Sequence, residues 1–279
     1  MTAPQAPGGA VPAGGQGGPE ADTAILRAVG ITKRFGAVAA LRGIDMHLNR
    51  GEVLGLVGDN GTGKSTFVKV LCGFHRPDSG QLYLDGKQVN FHSVQDARAH
   101  GIEAVYQDLA LVPQLPVYQN MFLNREETRL GRLGFLSNRK MRKLAKDYLS
   151  NIKVDIPDID AEVEMLSGGQ RQAIAVARAT RQNAKILLLD EPLAAMGARE
   201  SALIIDLVRD LSQRGVSMIV IDHNYTHLFE LCDRLNIIQR GRVVFDKLVS
   251  TTSVEELTEL MVSEYKRQLL AGHSDLESA

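Results

Sequence analysis

A nine-residue run rich in glycine has the residue types and spacing needed to bind the phosphates of a nucleotide. It lies between the apolar run Val53–Val57 and the helix-like segment Phe67–Cys72, and it reads Gly58-Asp59-Asn60-Gly61-Thr62-Gly63-Lys64-Ser65-Thr66. This matches the pattern G-x-x-x-x-G-K-[ST] in the strand–loop–helix context that the motif requires. The glycines let backbone N–H groups turn inward around phosphates, and the helix start adds its positive dipole end. We expect Lys64 to neutralise the β and γ phosphates and Ser65 to give a hydroxyl to Mg²⁺.

Two carboxylates and a histidine follow two further apolar runs and could complete this phosphate chemistry. Asp190 and Glu191 come directly after Ile186–Leu189, and His223 follows Met218–Ile221 and one aspartate. We expect Asp190 to hold Mg²⁺ through water, Glu191 to act as general base on the attacking water, and His223 to hydrogen-bond the γ-phosphate. Taken singly, these residues leave structural alternatives open. The acidic pair could cap the next helix, and a histidine at a strand end is often structural.

A second anion-binding motif precedes the helix-like run Arg171–Arg181. It reads Leu166-Ser167-Gly168-Gly169-Gln170. Small and polar residues at a helix start again present backbone N–H groups and a positive dipole end. Since the glycine-rich run already cradles one set of phosphates, this motif indicates another phosphate-contacting surface.

These motifs need a sheet that brings strand ends and helix starts to one edge. From about Ala24 onward, short apolar runs alternate with helix-like segments, which is typical of an α/β fold around a mainly parallel sheet. The clearest predicted strands are Val53–Val57, Glu103–Tyr106, Ile186–Leu189 and Met218–Ile221. Chemistry in such sheets lies at the carboxyl ends of the strands, where the motifs above begin.

Other regions depart from this alternation. Four runs predict an antiparallel β-subdomain: Ile25–Ile31, Ile44–Leu48, Gln81–Leu84 and Gln88–Phe91. From about Val117 to Ile152 strand signals vanish, and two helical stretches are separated by a loop that contains Gly131 and Gly134. Near the end of the chain, a hairpin around Gly241 and a closing helix over Val254–Leu270 are predicted.

Composition and charge exclude or disfavour several function classes. The 279 residues are 44% hydrophobic and 23% charged, as in globular proteins. The net charge of −1 lacks the basic field of most nucleic-acid binders, so no nucleic-acid partner is expected. Cys72 and Cys232 are far apart and form no C-x-x-C, which argues against a disulfide framework or a zinc site. Apolar runs are far shorter than the roughly 20 residues of a spanning helix, and the first residues do not resemble a signal peptide.

The sequence predicts three segments. Residues 1–22 are rich in Ala, Pro and Gly and cannot bury enough surface to offset the entropy of ordering, so we expect a disordered leader. Residues 23–265 form the folded domain, with a helical subdomain at about 108–182. Residues 266–279 form a polar tail.

Taken together, the motifs resemble those of the ATP-binding cassette (ABC) family of nucleotide-binding subunits. The family's Walker A motif matches Gly58–Ser65, its signature matches Leu166–Gln170, its Walker B strand matches Ile186–Asp190, followed by Glu191, and its switch histidine matches His223. The resemblance extends from about residue 24 to residue 260. It implies a P-loop core with an antiparallel β-subdomain and a helical subdomain, and ATP and Mg²⁺ as cofactors.

The same resemblance assigns roles to two further residues. Gln107 matches the family's Q-loop, which ligates Mg²⁺ and relays nucleotide state to a partner docked on the helical subdomain. Phe35 matches the aromatic position that stacks on adenine, although a core position is equally compatible with Phe35 alone. The resemblance also implies a head-to-tail dimer, in which the Walker A motif of one cassette and the signature of the other sandwich each ATP. The residues that contact ATP in trans are Ser167, Gly168, Gly169 and Gln170.

Within the family, Asp108–Pro113 and Asn120–Leu123 are similar to the cassettes of bacterial monosaccharide importers of the ribose, xylose and fructose type. This similarity implies an integral membrane permease as partner, a periplasmic sugar-binding protein that acts through it, and a peripheral location on the cytoplasmic face of the inner membrane. Because this chain has one cassette, the resemblance implies that it pairs with itself or with a second gene product, and of the two we expect the homodimer.

One position departs from the family pattern. Gly197 lies where the family usually has an aspartate that helps to fix the partner's site, which puts coupling between sites and the hydrolysis rate in question. Two other functions therefore remain as alternatives. One is an ATP-binding regulator with weak hydrolysis. The other is a non-transport ABC ATPase of repair or translation, which the short spacing between Lys64 and Leu166 disfavours.

Overall fold

The computed structural model describes residues 24–129, 134–181, 183–259 and 262–263. The predicted leader (1–22) and polar tail (266–279) lie outside these residues, as does the end of the predicted closing helix, of which residues 254–259 are helical. The strands are β1 (Ala24–Phe35), β2 (Val38–Asn49), β3 (Val53–Val57), β4 (Ser79–Leu84), β5 (Lys87–Val89), β6 (Ile102–Val105), β7 (Thr128–Arg129), β8 (Phe135–Leu136), β9 (Ile186–Asp190), β10 (Ser217–Ile221), β11 (Arg234–Gln239) and β12 (Arg242–Leu248). The α-helices are α1 (Lys64–Leu71), α2 (Val94–Ala99), α3 (Val117–Phe122), α4 (Asn138–Asn151), α5 (Gly168–Thr180), α6 (Ala198–Gln213) and α7 (Tyr225–Leu231).

A six-stranded sheet in the order β12-β11-β3-β10-β9-β6 confirms the predicted α/β fold. The strands from β11 to β6 pair in parallel, and β12 pairs with β11 in antiparallel orientation, as the predicted hairpin requires. Along β9, Leu187 and Leu189 join one buried cluster while Ile186 and Leu188 join another. This alternation places a hydrophobic layer on each face of the sheet, so the carboxyl ends of its strands are left to form the site.

The predicted β-subdomain is a four-stranded antiparallel sheet in the order β2-β1-β4-β5. Its inward residues Leu41 and Ile44 share a cluster with Leu54 and Leu56 of β3 and with Phe67 of α1. The subdomain therefore packs beside the strand and helix that flank the glycine-rich run.

The region predicted to be helical contains α3, α4 and α5, which pack on one another through Met121, Met141, Ala145 and Ile174, in the cluster that also holds Leu187 and Leu189. One feature differs from the prediction of two helices separated by a plain loop. β7 and β8 form a short antiparallel pair just before α4, and Gly131 of the predicted loop lies outside the described residues. Strands of two residues show no readable alternation, so sequence patterning does not detect them.

Among the helices that the structure describes, none combines the length and the apolar character needed to span a bilayer.

Candidate functional site

The glycine-rich run connects the carboxyl end of β3 to the first turn of α1. Gly58 and Gly63 have φ of 147° and 111°, values that residues with a Cβ rarely adopt. A Cβ on Gly63 would lie 2.6 Å from the carbonyl oxygen of Ala40, and a Cβ on Gly58 would overlap the carbonyl oxygen of Ile238. Neighbouring backbone from β2 and β11 therefore encloses the loop, and only glycine fits at these two positions.

Lys64 begins α1 and folds back over the loop. Its Nζ donates to the carbonyl oxygens of Gly58 and Asp59, the latter at 2.8 Å. Burial lowers the pKa of Lys64, while the nearby carboxylates of Asp59, Asp190 and Glu191 oppose that shift. A cation held among carbonyl groups and three acids is placed to bind phosphate oxygens. Around it, Asp59, Asn60, Gly61 and Ser65 are exposed, and Thr62 and Thr66 are partly exposed.

The predicted acids and histidine lie together at the carboxyl ends of β9 and β10. Asp190 pairs in register with Ile221, and the N–H of Glu191 donates to the carbonyl of Ile221 at 2.7 Å. Glu191 has φ of 49°, which turns its side chain out of the strand direction. Its Oε1 lies 3.0 Å from Nδ1 of His223. The side chain of His223 is 75% exposed and that of Glu191 is 26% exposed, so the pair opens to solvent where a nucleotide would approach.

Asp190 ends β9 and is partly buried. Burial raises the pKa of Asp190, and the charge of Glu191 adds to this effect, whereas Lys64 opposes it. Lys64, Asp190 and Glu191 therefore interact electrostatically, although more than 120 positions of the chain separate the lysine from the two acids. Such coupling at a strand edge is typical of a functional site.

Asp222 and His227 also belong to this edge, and sequence reasoning did not single them out. Asp222 is 3% exposed, and it accepts hydrogen bonds from the N–H of Asn224 at 2.9 Å and from Nδ1 of His227 at 3.1 Å. These bonds hold the turn that carries His223. The D-H-N-x-x-H spacing, with Asn224 as the N-cap of α7, is the signal that could have identified them.

The second anion-binding motif forms the start of α5. Ser167 and Gln170 make a reciprocal capping box, in which Ser167 Oγ accepts from the N–H of Gln170 and Gln170 Oε1 accepts from the N–H of Ser167. The N–H of Gly169 donates to Glu200 of α6 at 3.4 Å. Leu166 of this motif donates its N–H to the carbonyl of Val163 at 3.2 Å. Within the described residues, none of the hydrogen bonds of this motif reaches Lys64.

Glu200, beside the start of α5, is a further residue that the sequence analysis did not identify. A Cβ on Gly169 would lie 2.9 Å from the Cβ of Glu200, so glycine is required where α5 and α6 approach each other. The two positions are 31 residues apart, and no local pattern relates them.

The two remaining predicted residues are both accessible. Gln107 is exposed just after β6. Phe35 ends β1 and is 44% exposed, which excludes the core alternative for this ring. Its ring centroid lies 5.1 Å from that of His75 in an edge arrangement, and Lys33 Nζ lies 5.8 Å from the centroid. Phe35 therefore presents an open aromatic face on which a base could stack.

Known proteins with similar sequences and folds are described as ATP-binding proteins of transporters. A family model described as ABC transporter matches residues 41–194. A xylose/arabinose import ATP-binding protein of Sulfolobus acidocaldarius is 47% identical over 239 residues, covering 86% of this chain and 94% of that protein. A fructose import ATP-binding protein of Rhizobium meliloti is 44% identical over 223 residues, covering 78% and 86% of the two chains.

A ribose import ATP-binding protein of Burkholderia mallei is 43% identical over 238 residues, or 85% of this chain, and the chain spans about half of that relative's length (46%). Among solved structures, cbiO1 from Clostridium perfringens, described as part of an ABC transporter complex, aligns with a TM-score of 0.71 at 25% identity and covers 92% of this chain and 100% of its own. An ATP-binding cassette in its ADP conformation aligns with a TM-score of 0.73 at 24% identity, covering 89% and 99%, which shows the shared fold.

Proposed function

The chain belongs to the ABC transporter family of ATP-binding proteins and is an ATPase, and from this premise we propose that it energises the uptake of a monosaccharide through a separate membrane permease. Three relatives with 43% to 47% identity are named for the import of xylose/arabinose, fructose and ribose. The sugar class of the substrate rests on these names. The particular sugar is set by other subunits, since no residue of this chain is expected to touch it.

The pairing of Glu191 with His223 is the observation that carries the hydrolytic role. With Nδ1 of His223 at 3.0 Å, one oxygen of Glu191 is fixed and the other can accept a proton from a water molecule. That water attacks the γ-phosphorus, its proton passes to Glu191, and the bond to the β-phosphate oxygen breaks to leave ADP and phosphate. Lys64, held beside these acids, neutralises charge on the β and γ phosphates.

The residues proposed to hold Mg²⁺ suit that ion. Ser65, Gln107 and Asp190 offer a hydroxyl, an amide carbonyl and a carboxylate, and Mg²⁺ prefers such oxygen ligands. The ion would supply positive charge that neutralises the phosphates and the charge that develops as the γ-phosphate leaves. The raised pKa of Asp190 is consistent with a buried carboxylate that gains most from a cation.

Two cassettes complete each site in this proposal. Lys64 begins α1 and the signature begins α5, and none of the hydrogen bonds among the described residues joins the two motifs. We therefore propose that Ser167, Gly168, Gly169 and Gln170 contact ATP bound to the partner chain. We favour a homodimer with residues 23–265 as the cassette and about 108–182 as its helical subdomain. The dimer would act on a permease that receives sugar from a periplasmic binding protein, with this chain peripheral on the cytoplasmic face of the membrane.

The deciding experiment is affinity purification of the chain from gently solubilised native membranes. Mass spectrometry identifies what accompanies it, and phosphate release by the complex is then measured with binding proteins loaded with xylose, arabinose, ribose or fructose. We expect a multi-spanning permease, and an ATPase that one loaded binding protein stimulates. Lys64→Ala should retain the permease and lose both ATP binding and phosphate release.

Other outcomes separate the alternatives. Recovery only from the soluble fraction, or with DNA or ribosomes, would support a non-transport ABC ATPase. A wild-type protein that binds ATP but releases no phosphate would support the regulator, for which Gly197 is the only indication.

A further inference from the structure

The carboxylate of Glu200 lies between the starts of two helices. Its Oε2 accepts from the N–H of Gly197 at the start of α6, and its Oε1 accepts from the N–H of Gly169 at the start of α5, both at 3.4 Å. The hydroxyl of Ser167 is a third hydrogen-bond partner, and these bonds lower the pKa of Glu200. The group is therefore an anion placed where two helix dipoles present their positive ends.

Two of these three donors are also the donors proposed for the partner's nucleotide. In the proposed dimer, Ser167 and Gly169 meet the phosphates of ATP bound to the other chain. A phosphate group and the carboxylate of Glu200 would both be negatively charged, and they would need the same N–H and O–H groups. They cannot share these donors without mutual repulsion.

We propose that Glu200 is an internal competitor for the signature: its carboxylate engages Ser167 and Gly169 in the separate chain and is displaced when the partner's ATP binds there. This inference rests on the proposed ATP sandwich. The competition makes closure of the ATP-bound dimer less favourable than it would be without the Glu200 carboxylate. The dimer dissociation constant therefore depends on the charge of Glu200.

The local geometry permits the exchange. Glu200 is the third residue of α6, and its Oε2 accepts from the N–H of Gly197, the N-cap of that helix, so release of Gly169 leaves the carboxylate with a partner on its own helix. The backbones of α5 and α6 stay close, since the Cα of Glu200 would lie 3.3 Å from a Cβ on Gly169. Rotation of the side chain is therefore enough, and the helices need not separate.

The test compares ATP-driven dimerisation of Glu191→Gln with that of Glu191→Gln/Glu200→Gln. Glutamine at this third helical position can also accept from the N–H of Gly197, so the second variant removes the charge and keeps the helix start. Asp206→Asn in the same background is the matched control, because Asp206 is an exposed acid about 9 Å further along α6. Dimer dissociation constants are measured by sedimentation with saturating ATP and Mg²⁺ at low and high salt, and thermal melts verify folding.

We expect Glu200→Gln to tighten the dimer on the order of threefold for each of its two sites at low salt. The gain should shrink at high salt, because screening weakens repulsion between charges near the surface. Asp206→Asn should leave the dissociation constant unchanged.

An unchanged or weaker dimer in Glu200→Gln, or a gain that does not depend on salt, would refute the competition while leaving the sandwich intact. A parent Glu191→Gln that stays monomeric with ATP would refute the sandwich, and the competition with it.

Discussion

The contact between Glu191 and His223 makes a quantitative prediction about hydrolysis. If Glu191 accepts the proton of the attacking water and His223 holds it in place at 3.0 Å, the two side chains act as one unit. Removing Glu191 should then remove most of what the pair contributes, removing His223 should remove a smaller part, and removing both should cost little more than removing the base alone.

The magnitudes follow from these roles. Replacing Glu191 by Gln keeps the shape but removes the base, which typically lowers kcat by about 10² to 10⁴-fold. His223 acts through a single hydrogen bond, so we expect His223→Ala to lower kcat by roughly tenfold to a hundredfold through misplacement of Glu191. The double variant should fall within about threefold of Glu191→Gln, whereas independent effects would multiply.

The assay is phosphate release at saturating ATP and Mg²⁺ for the wild type, the two single variants and the double variant. ATP affinity, measured separately by calorimetry, should change little, because Lys64 and the glycine-rich run remain in place. Glu230→Gln is the control, since Glu230 is an exposed glutamate on α7, the helix that follows His223.

Two results would refute this reasoning. A loss in Glu191→Gln of less than tenfold would mean that the proton goes to another group. Multiplicative losses in the double variant would mean that His223 works independently of Glu191, through the direct contact with the γ-phosphate that the sequence predicts.

Three further predictions concern stability and reactivity. Arg234→Met should lower the free energy of unfolding in urea by about 3 to 5 kcal/mol, because it leaves Glu52, at 8% exposure, buried without its ion-pair partner at 2.6 Å; a loss under about 1 kcal/mol would contradict this. Gly58→Ala should abolish ATP binding and lower the melting temperature, since the φ of Gly58 is 147° and an added Cβ would overlap backbone. Gly61→Ala has open space for its Cβ, so it should lower stability only through the strain of its left-handed backbone conformation. Equal effects of the two substitutions would contradict this expectation. Burial raises the pKa of Cys72 to about 11, so the thiol is protonated at pH 8 and should alkylate slowly until the pH approaches 11. Rapid alkylation of the folded protein at pH 8 would be inconsistent with this burial.

The sequence predicted the placement of residues whose positions are defined by their neighbours in the chain. The glycine-rich run, the acids after β9 and the histidine after β10 are each defined by a strand and the turn that follows it. Since parallel strands end at one edge, the sequence alone predicts that Lys64, Glu191 and His223 lie close together. The fold class and the antiparallel subdomain were predictable for the same reason, because alternation and length distinguish their strands.

Contacts between distant residues were not predictable. Arg234 meets Glu52 across 182 positions, and Gly169 meets Glu200 across 31. Neither pair has a spacing that a helix or strand would repeat, so only the packing of complete elements reveals them. The β7–β8 pair was not predicted for a different reason, because its strands are too short to show a hydrophobic period.

The contacts of Glu200 give a physical reason for a residue without a charge at position 197. Its φ is −75°, and a Cβ there would meet nothing within 4 Å, so neither backbone conformation nor space requires glycine. An aspartate would fit and would cap α6 better than glycine does. It would also bring a second negative charge to the start of α6 and repel the carboxylate that reaches the N–H of Gly169. The lack of an acid at position 197 thus favours the bridge that Glu200 makes, and the two positions are best understood as one arrangement at the start of α6.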